Sequence, residues 1–275
     1  MSTQGAADGR RVTTRELLDK KARGEPIVCL TAYDVLFGRI VDESGVDVVL
    51  VGDSLGQVVL GLDSTLPVTL EHMIHHAAAV RRGVRHALLV VDMPFMTFHV
   101  SPEETLRNAG RVLQETGAEA VKLEGGSEDT ARHVAKLVGA GIPVMGHIGL
   151  TPQSVHALGG YRVQGRDDLA AERLRAEAAR LADAGAFAMV LELLPRPLAA
   201  EITASVAIPT IGIGAGPDTD GQVLVLYDML GLNEAFKPKF LRRFGELGGE
   251  ARAAVRAYVE AVRDGTYPGG EHSFE

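Results

Sequence analysis

Short apolar runs alternate with longer amphipathic stretches along most of the chain. The runs are rich in Val, Ile and Leu, which is typical of strands buried in a parallel sheet. Eight runs are predicted as strands: 27–30, 48–51, 87–91, 120–123, 143–148, 188–191, 210–213 and 223–226. The clearest helical patterns between them cover 103–115, 129–138 and 168–183. Because eight strand–helix units close naturally into a barrel, we predict an α/β fold of the (β/α)8 type.

Both the start of the chain and a weak repeat support this interpretation. Thr13 and Glu16 have the spacing of a capping box, which predicts a short helix that ends near Gly24. Segments 43–53, 115–124 and 183–192 each contain a helix end, a glycine suited to a left-handed turn, and a strand that terminates in a carboxylate. A doubly wound open sheet is the rival fold, but no G-x-G-x-x-G fingerprint follows the first strand.

No long linker divides the sequence, so we predict a single domain over residues 1–275, with a flexible N-terminal segment of about residues 1–12. The net charge of −8 and the lack of a basic run argue against nucleic-acid partners and anionic membranes. The sequence shows neither the apolar core of a signal peptide nor a membrane-spanning run of about 18 residues. The one cysteine, Cys29, lies in an apolar run and is expected to be buried and inert. We expect a soluble, cytoplasmic protein.

Carboxylates end four of the predicted strands, at Asp53, Asp92, Glu124 and Glu192. In a barrel, the C-terminal ends of the strands line the catalytic face. Any one of these carboxylates could cap the next helix or pair with an arginine. Four at equivalent positions favour a shared site, because isolated buried carboxylates are costly.

Lys122 lies two residues before Glu124 and therefore points to the same side of the strand. Lys122 and a divalent cation would neutralise Asp53, Asp92 and Glu124, and oxygen ligands of this kind suit Mg2+. Such a cation could be chelated by a 2-oxo acid and would stabilise its enolate. Glu192 is then left over as the base.

His147 ends the fifth predicted strand, between Gly146 and Gly149. It either satisfies backbone groups or contacts substrate, and the flanking glycines favour substrate contact. The histidines at 72, 75 and 76 have helical spacing, which suggests either a metal-binding face or, more simply, a solvated one.

Seven motifs, in order along the chain, resemble those of the ketopantoate hydroxymethyltransferase family. They are VGDSLG (51–56), DSTLPVT (63–69), DMPF (92–95), VKLEGG (121–126), GHIGLTPQ (146–153), GGYRVQG (159–165) and IGIGAG (211–216). The similarity extends from about Ile27 to Phe274.

This resemblance implies a barrel of the phosphoenolpyruvate mutase/isocitrate lyase type. It also implies transfer of a hydroxymethyl group from 5,10-methylenetetrahydrofolate to 3-methyl-2-oxobutanoate, giving 2-dehydropantoate for pantothenate biosynthesis, and assembly as a homodecamer. The implied Mg2+ ligands are Asp53, Asp92 and Glu124, and Glu192 is the implied proton acceptor. The residues implied to bind or lie near the 2-oxo acid are Asp53, Ser54, Asp92, Lys122 and His147.

Three other functions compete with this interpretation. A lyase or mutase of the related superfamily would use a similar metal site, but such enzymes commonly carry a loop cysteine, and Cys29 lies in the first strand. The glycine-rich segment 212–216 suggests a phosphosugar isomerase or synthase, because such turns often bind phosphate in barrels. Tight packing or room for the folate also explains these glycines. A non-catalytic barrel is disfavoured because all the expected metal ligands are present.

Overall fold

The computed structural model describes residues 11–274, which belong to two compact units that meet in sequence at Val225 and Leu226. The first unit contains the whole barrel, and the prediction of a single domain stays a prediction. Of the predicted N-terminal segment, residues 1–10 lie outside the described residues. Val12 donates a backbone hydrogen bond to the carbonyl of His86 at 2.7 Å, so the described part of that segment is attached to the barrel unit.

Within the described residues, eight parallel strands form a closed barrel in sequence order, and β8 pairs with β1. The predicted (β/α)8 fold is therefore confirmed. The strands are β1 (Ile27–Thr31), β2 (Val48–Val51), β3 (Leu88–Asp92), β4 (Ala120–Glu124), β5 (Val144–Gly149), β6 (Ala188–Glu192), β7 (Thr210–Ile213) and β8 (Gly221–Leu224). The last strand starts two residues before its predicted position, because Gly221 pairs with both Ile27 and Ile211, and glycine is a poor sequence signal for a strand.

The helices of the barrel unit are α1 (Thr14–Arg23), α2 (Val35–Glu43), α3 (Leu55–Val58), α4 (Leu70–Arg81), α5 (Pro102–Thr116), α6 (Glu128–Gly139), α7 (Asp168–Asp183) and α8 (Arg196–Ser205). The Thr13 hydroxyl accepts a hydrogen bond from the backbone N–H of Glu16, and Gly24 ends α1 in the left-handed conformation. The three repeat glycines are also left-handed, with φ of 83° at Gly45, 73° at Gly117 and 92° at Gly185. The predicted helix starts and turns are confirmed.

Apolar side chains fill the barrel interior toward the N-terminal ends of the strands. Polar side chains replace them toward the C-terminal ends. On β3, the buried Leu88 and Val90 belong to the core. Because side chains alternate between the faces of a strand, Asp92 points to the same side as these two. The same alternation makes Ala120 of β4 share its face with Lys122. The core therefore ends in a layer of charged groups at the catalytic face of the barrel.

The second unit contains helices α9 (Leu226–Met229) and α10 (Leu247–Arg263), followed by a 3-10 turn at Gly270–His272. Across residues 11–274, every helix is too short or too polar to cross a bilayer.

Candidate active site

The four predicted carboxylates all lie at the C-terminal ends of barrel strands. Asp53 lies two residues after the end of β2, while Asp92, Glu124 and Glu192 are the last residues of β3, β4 and β6. Asp53, Asp92 and Glu124 are almost fully buried, whereas 17% of the Glu192 side chain is exposed. Three of the four carboxylates are therefore buried, and Glu192 is the one that a bound molecule can reach.

Lys122 connects two parts of this cluster. Its Nζ lies 2.7 Å from Asp92 Oδ1 and 3.1 Å from His147 Nδ1, and the lysine is itself buried. Burial alone would lower the pKa of Lys122, but the negative charges of Asp92, Glu124 and Asp53 outweigh it and raise the pKa. The neighbouring carboxylates therefore favour the charged, ammonium form of Lys122.

The carboxylates respond differently to this environment. Burial and the neighbouring charges of Asp92 and Glu124 raise the pKa of Asp53 well above its ordinary value. Burial also raises the pKa of Asp92, although Lys122 opposes it. Burial acts in the same direction on Glu124, but the hydrogen bond with His147 and the charges of His147 and Lys122 lower its pKa overall. Asp53, Asp92 and Glu124 together carry more negative charge than the ammonium of Lys122 can balance.

His147 lies between two carboxylates at the end of β5. Its Nδ1 is 3.5 Å from Glu124 Oε1, and its Nε2 is 3.3 Å from Glu192 Oε2. Burial and Lys122 lower the pKa of His147, but hydrogen bonds to Glu124 and Glu192 outweigh them and raise it to about 9. His147 thus links the buried carboxylates to the accessible Glu192.

This raised pKa predicts a pH-dependent stability of the protein in chelator. The folded state holds the His147 proton up to about pH 9, whereas the unfolded state releases it near pH 6.5. The stabilisation is therefore complete below about pH 6.5 and is lost as the pH rises to about 9. In urea unfolding, the free-energy difference between the parent protein and His147→Gln should shrink across this window. A difference independent of pH would contradict it, and His156→Gln, at an exposed histidine, is the control.

Two neighbours complete the arrangement and were not singled out from the sequence. The hydroxyl of Ser54 is 2.8 Å from that of Tyr33, a buried residue that follows β1. Gln153 lies in a 3-10 turn after β5 and donates from Nε2 to Asp53 Oδ2 at 2.8 Å. Gln153 belongs to a motif of the family resemblance, but a neutral side chain in a loop gave no separate signal.

The donor set suits Mg2+ because it consists of hard carboxylate oxygens with an excess of negative charge. Among residues 11–274, however, no three His, Cys, Asp or Glu side chains have the arrangement of a preformed metal site. In this structure Gln153 engages Asp53, Lys122 engages Asp92, and His147 lies against Glu124. The residue types fit a divalent cation, and the metal ligands stay a prediction.

The glycines on either side of His147 make close contacts within the barrel, and the predicted substrate contact of His147 stays a prediction. A Cβ on Gly149 would lie 2.2 Å from the carbonyl oxygen of Glu192, and Gly149 has a φ of 97°. A Cβ on Gly146 would lie 2.9 Å from Leu181 of α7. Tight contact with β6 and α7 therefore explains both glycines.

Cys29 and the histidines of α4 lie apart from this chemistry. Cys29 is buried in β1, and burial raises the pKa of its thiol, as expected of an inert core residue. His72 accepts a hydrogen bond from the backbone N–H of Thr69, and His76 Nδ1 lies 2.7 Å from the carbonyl oxygen of Tyr33. Two of the three histidines thus make backbone contacts that the interpretation as a solvated face missed.

Sequence comparison links the chain to one family of enzymes. The family model of ketopantoate hydroxymethyltransferase matches residues 11–270. The 3-methyl-2-oxobutanoate hydroxymethyltransferase of Syntrophus aciditrophicus is 54% identical over 274 residues and covers 100% of both chains. The enzyme of the same name from Paracoccus denitrificans is 58% identical over 258 residues, covering 93% of each chain.

Solved structures share the fold at much lower identity. A phosphonopyruvate hydrolase in complex with oxalate and Mg2+ has a TM-score of 0.61 at 12% identity, covering 95% of this chain and 91% of its own. A 2,3-dimethylmalate lyase of the PEP mutase/isocitrate lyase superfamily has a TM-score of 0.60 at 18% identity, covering 92% and 88%. These similarities agree with the barrel fold of the chain.

Proposed function

The chain belongs to the ketopantoate hydroxymethyltransferase family, and we propose that it performs the family's transfer through an enolate formed in the carboxylate cluster. The two substrates are 3-methyl-2-oxobutanoate and 5,10-methylenetetrahydrofolate. The C3–H bond of the 2-oxo acid breaks, and its carbon then bonds to the methylene carbon of the folate. Water supplies the hydroxyl group, and the products are 2-dehydropantoate and tetrahydrofolate. The observation that carries the proposal is the buried Lys122 among three carboxylates, beside one accessible carboxylate.

The buried residues would hold the 2-oxo acid by its polar end. The Lys122 ammonium is the charged donor for the substrate carboxylate, and protonated His147 adds positive charge beside it. The Ser54 hydroxyl, held by Tyr33, is a further donor. Asp53 and Asp92 complete the proposed contacts around the substrate. Positive charge is then fixed where the enolate oxygen develops its negative charge.

Asp53, Asp92 and Glu124 are the residues we propose to hold Mg2+. When bound there, the ion supplies Lewis-acid chemistry by withdrawing electron density from the 2-oxo carbonyl. The phosphonopyruvate hydrolase of the same fold was solved in complex with oxalate and Mg2+, so a barrel of this fold can bind a divalent cation and a small carboxylate. Cation binding would compete with protonation of Asp53, so we expect affinity to fall at low pH.

Glu192 is the proposed base for the C3 proton. It is the most accessible of the four carboxylates, and His147 Nε2 lies 3.3 Å from its Oε2. A protonated His147 would fix which oxygen of Glu192 faces the substrate. Proton removal is thus assigned to the carboxylate that does not belong to the proposed metal set.

The alternative of a 2-oxo acid lyase or mutase has no specific support here. Its relatives share only the fold at 12–18% identity, whereas the transferases share more than half of their residues with the chain. The single cysteine of the sequence, Cys29, is buried in the first strand, whereas such lyases commonly carry a cysteine in a loop.

We further propose a cytoplasmic homo-oligomer, a homodecamer by family resemblance, without nucleic-acid or membrane partners. Helix α10 exposes Val255, Tyr258 and Val262 at the i, i+3, i+7 spacing of one apolar stripe. Such a stripe is the kind of surface that a second copy of the chain would bury. The acidic net charge and the single buried cysteine fit the cytoplasm.

The deciding experiment is proton–deuterium exchange at C3 of 3-methyl-2-oxobutanoate, followed by NMR in D2O with Mg2+ and without folate. We expect exchange that chelator and Asp53→Ala each abolish, because the enolate needs the cation site. Asp129→Ala, on the surface of α6, is the matched control and should leave exchange unchanged. Absence of exchange, with and without added tetrahydrofolate, would contradict the enolate mechanism. Formation of 2-dehydropantoate from the complete mixture tests the transfer itself.

A further inference from the structure

The side-chain amide of Gln153 has one well-defined orientation. Its Nε2 is 2.8 Å from Asp53 Oδ2 and 3.0 Å from the carbonyl oxygen of Met93. The Met93 oxygen can only accept a hydrogen bond, as can the ionised carboxylate of Asp53. The NH2 group must therefore face them, and Oε1 must face away. The residue is 5% exposed, and its Oε1 is a buried acceptor that no described group of the chain bonds.

Gln153 also connects strand ends that carry the carboxylates. Its backbone N–H donates to Glu124 Oε2 at 3.0 Å, while its side chain reaches Asp53 beyond β2 and Met93 beyond β3. Gln153, in the turn after β5, thus fixes the orientation of the Asp53 and Glu124 carboxylates, which belong to the ends of two different strands. The Asp53 oxygen not engaged by Gln153 is Oδ1.

The neutral amide suits this position better than a charged donor would. Asp53 lies near Asp92 and Glu124, whose charges repel it. A lysine or arginine at position 153 would relieve that repulsion but would also repel a cation. An amide orients the carboxylate without adding charge. A buried acceptor that lacks a protein donor is ordinarily satisfied by water.

We propose that Gln153 is a positioning residue of the divalent-cation site. It holds Asp53 and Glu124 in their binding orientation through the hydrogen bonds from its side-chain amide and its backbone N–H. This inference rests on the proposed function. It adds a residue that acts through the ligands and does not touch the 2-oxo acid, as partners behind metal ligands commonly do.

The test measures Mn2+ binding to chelator-treated protein by the EPR signal of free Mn2+, without either substrate. Gln153→Met keeps the length of the side chain and removes its amide, and we expect the Mn2+ Kd to rise about 10- to 100-fold. Gln114→Met, at an exposed position of α5, is the matched control and should leave the Kd unchanged. Gln153→Asn, whose amide is too short to reach Asp53, should weaken binding in the same direction. It serves as the second variant if Gln153→Met does not fold.

The kinetic pattern separates positioning from a merely structural role. At saturating Mn2+, kcat of Gln153→Met should return to within a few-fold of the parent, while the metal concentration for half-maximal activity stays raised. An unchanged Mn2+ Kd in a folded variant, with the parent protein active, would overturn the role of Gln153 and leave the proposed function intact. If the parent protein itself binds no Mn2+ and shows no metal-dependent exchange, the proposed function fails and this inference fails with it.

Discussion

Replacing Lys122 with methionine is expected to lower kcat/KM by about a thousandfold and to destabilise the chelated protein by about 3–5 kcal/mol. The ammonium is buried 2.7 Å from Asp92, and the charges of Asp92, Glu124 and Asp53 keep it protonated. Without it, those carboxylates would remain buried without their main protein counter-charge. The substrate carboxylate would lose its charged partner at the same time.

The two effects are measured separately. Urea unfolding at neutral pH in chelator gives the stability, and steady-state rates at saturating Mg2+ give kcat/KM. Lys136→Met is the control, because Lys136 pairs with Glu103 on the surface and such pairs contribute less than about 1 kcal/mol. The stability loss should become smaller at low pH, where the carboxylates take up protons. Near-parental activity in a folded Lys122→Met variant would rule out the proposed role of the ammonium.

Much of the fold was predictable because its strands are buried on both faces. A parallel strand such as β2 or β6 appears in the sequence as a continuous apolar run, and Gly45 or Gly185 marks where the preceding helix ends. The charged residues of the site were equally visible. Lys122 and the carboxylates interrupt or terminate apolar runs. A charged group buried there is unfavourable in free energy unless a partner of opposite charge lies beside it.

The parts that were not predictable depend on contacts between distant segments. Nothing around Gln153 shows that its amide reaches Asp53, 100 residues earlier in the chain. In the same way, the sequence around Gly149 does not show that the backbone of Glu192 is the neighbour that leaves no room for a side chain there. Local sequence shows that a backbone needs space or a side chain needs a partner, but the identity of the neighbour is a property of the closed barrel.

Replacing Glu192 with glutamine should slow C3 proton exchange by about a hundred- to ten-thousandfold, the contribution typical of a positioned base. Glutamine keeps the shape of the side chain and can still face His147 Nε2. It cannot accept the substrate proton at neutral pH. Because Glu192 lies outside the proposed metal set, Mn2+ binding and the binding of 3-methyl-2-oxobutanoate should change by no more than a few-fold.

This pattern distinguishes a base from an orienting partner. If Glu192 only positions His147, Glu192→Gln should keep most of the exchange rate, since the amide oxygen can still accept a hydrogen bond from Nε2. If Glu192 removes the proton, the rates of C3 proton exchange and of overall transfer should both fall, while the Kd for Mn2+ should stay unchanged. Glu201→Gln, at a surface residue of α8 that pairs with Arg175, controls for the loss of a charge on the barrel unit. Parental exchange in Glu192→Gln would assign the proton to another group, and His147, the nearest titratable neighbour, would be the next residue to replace.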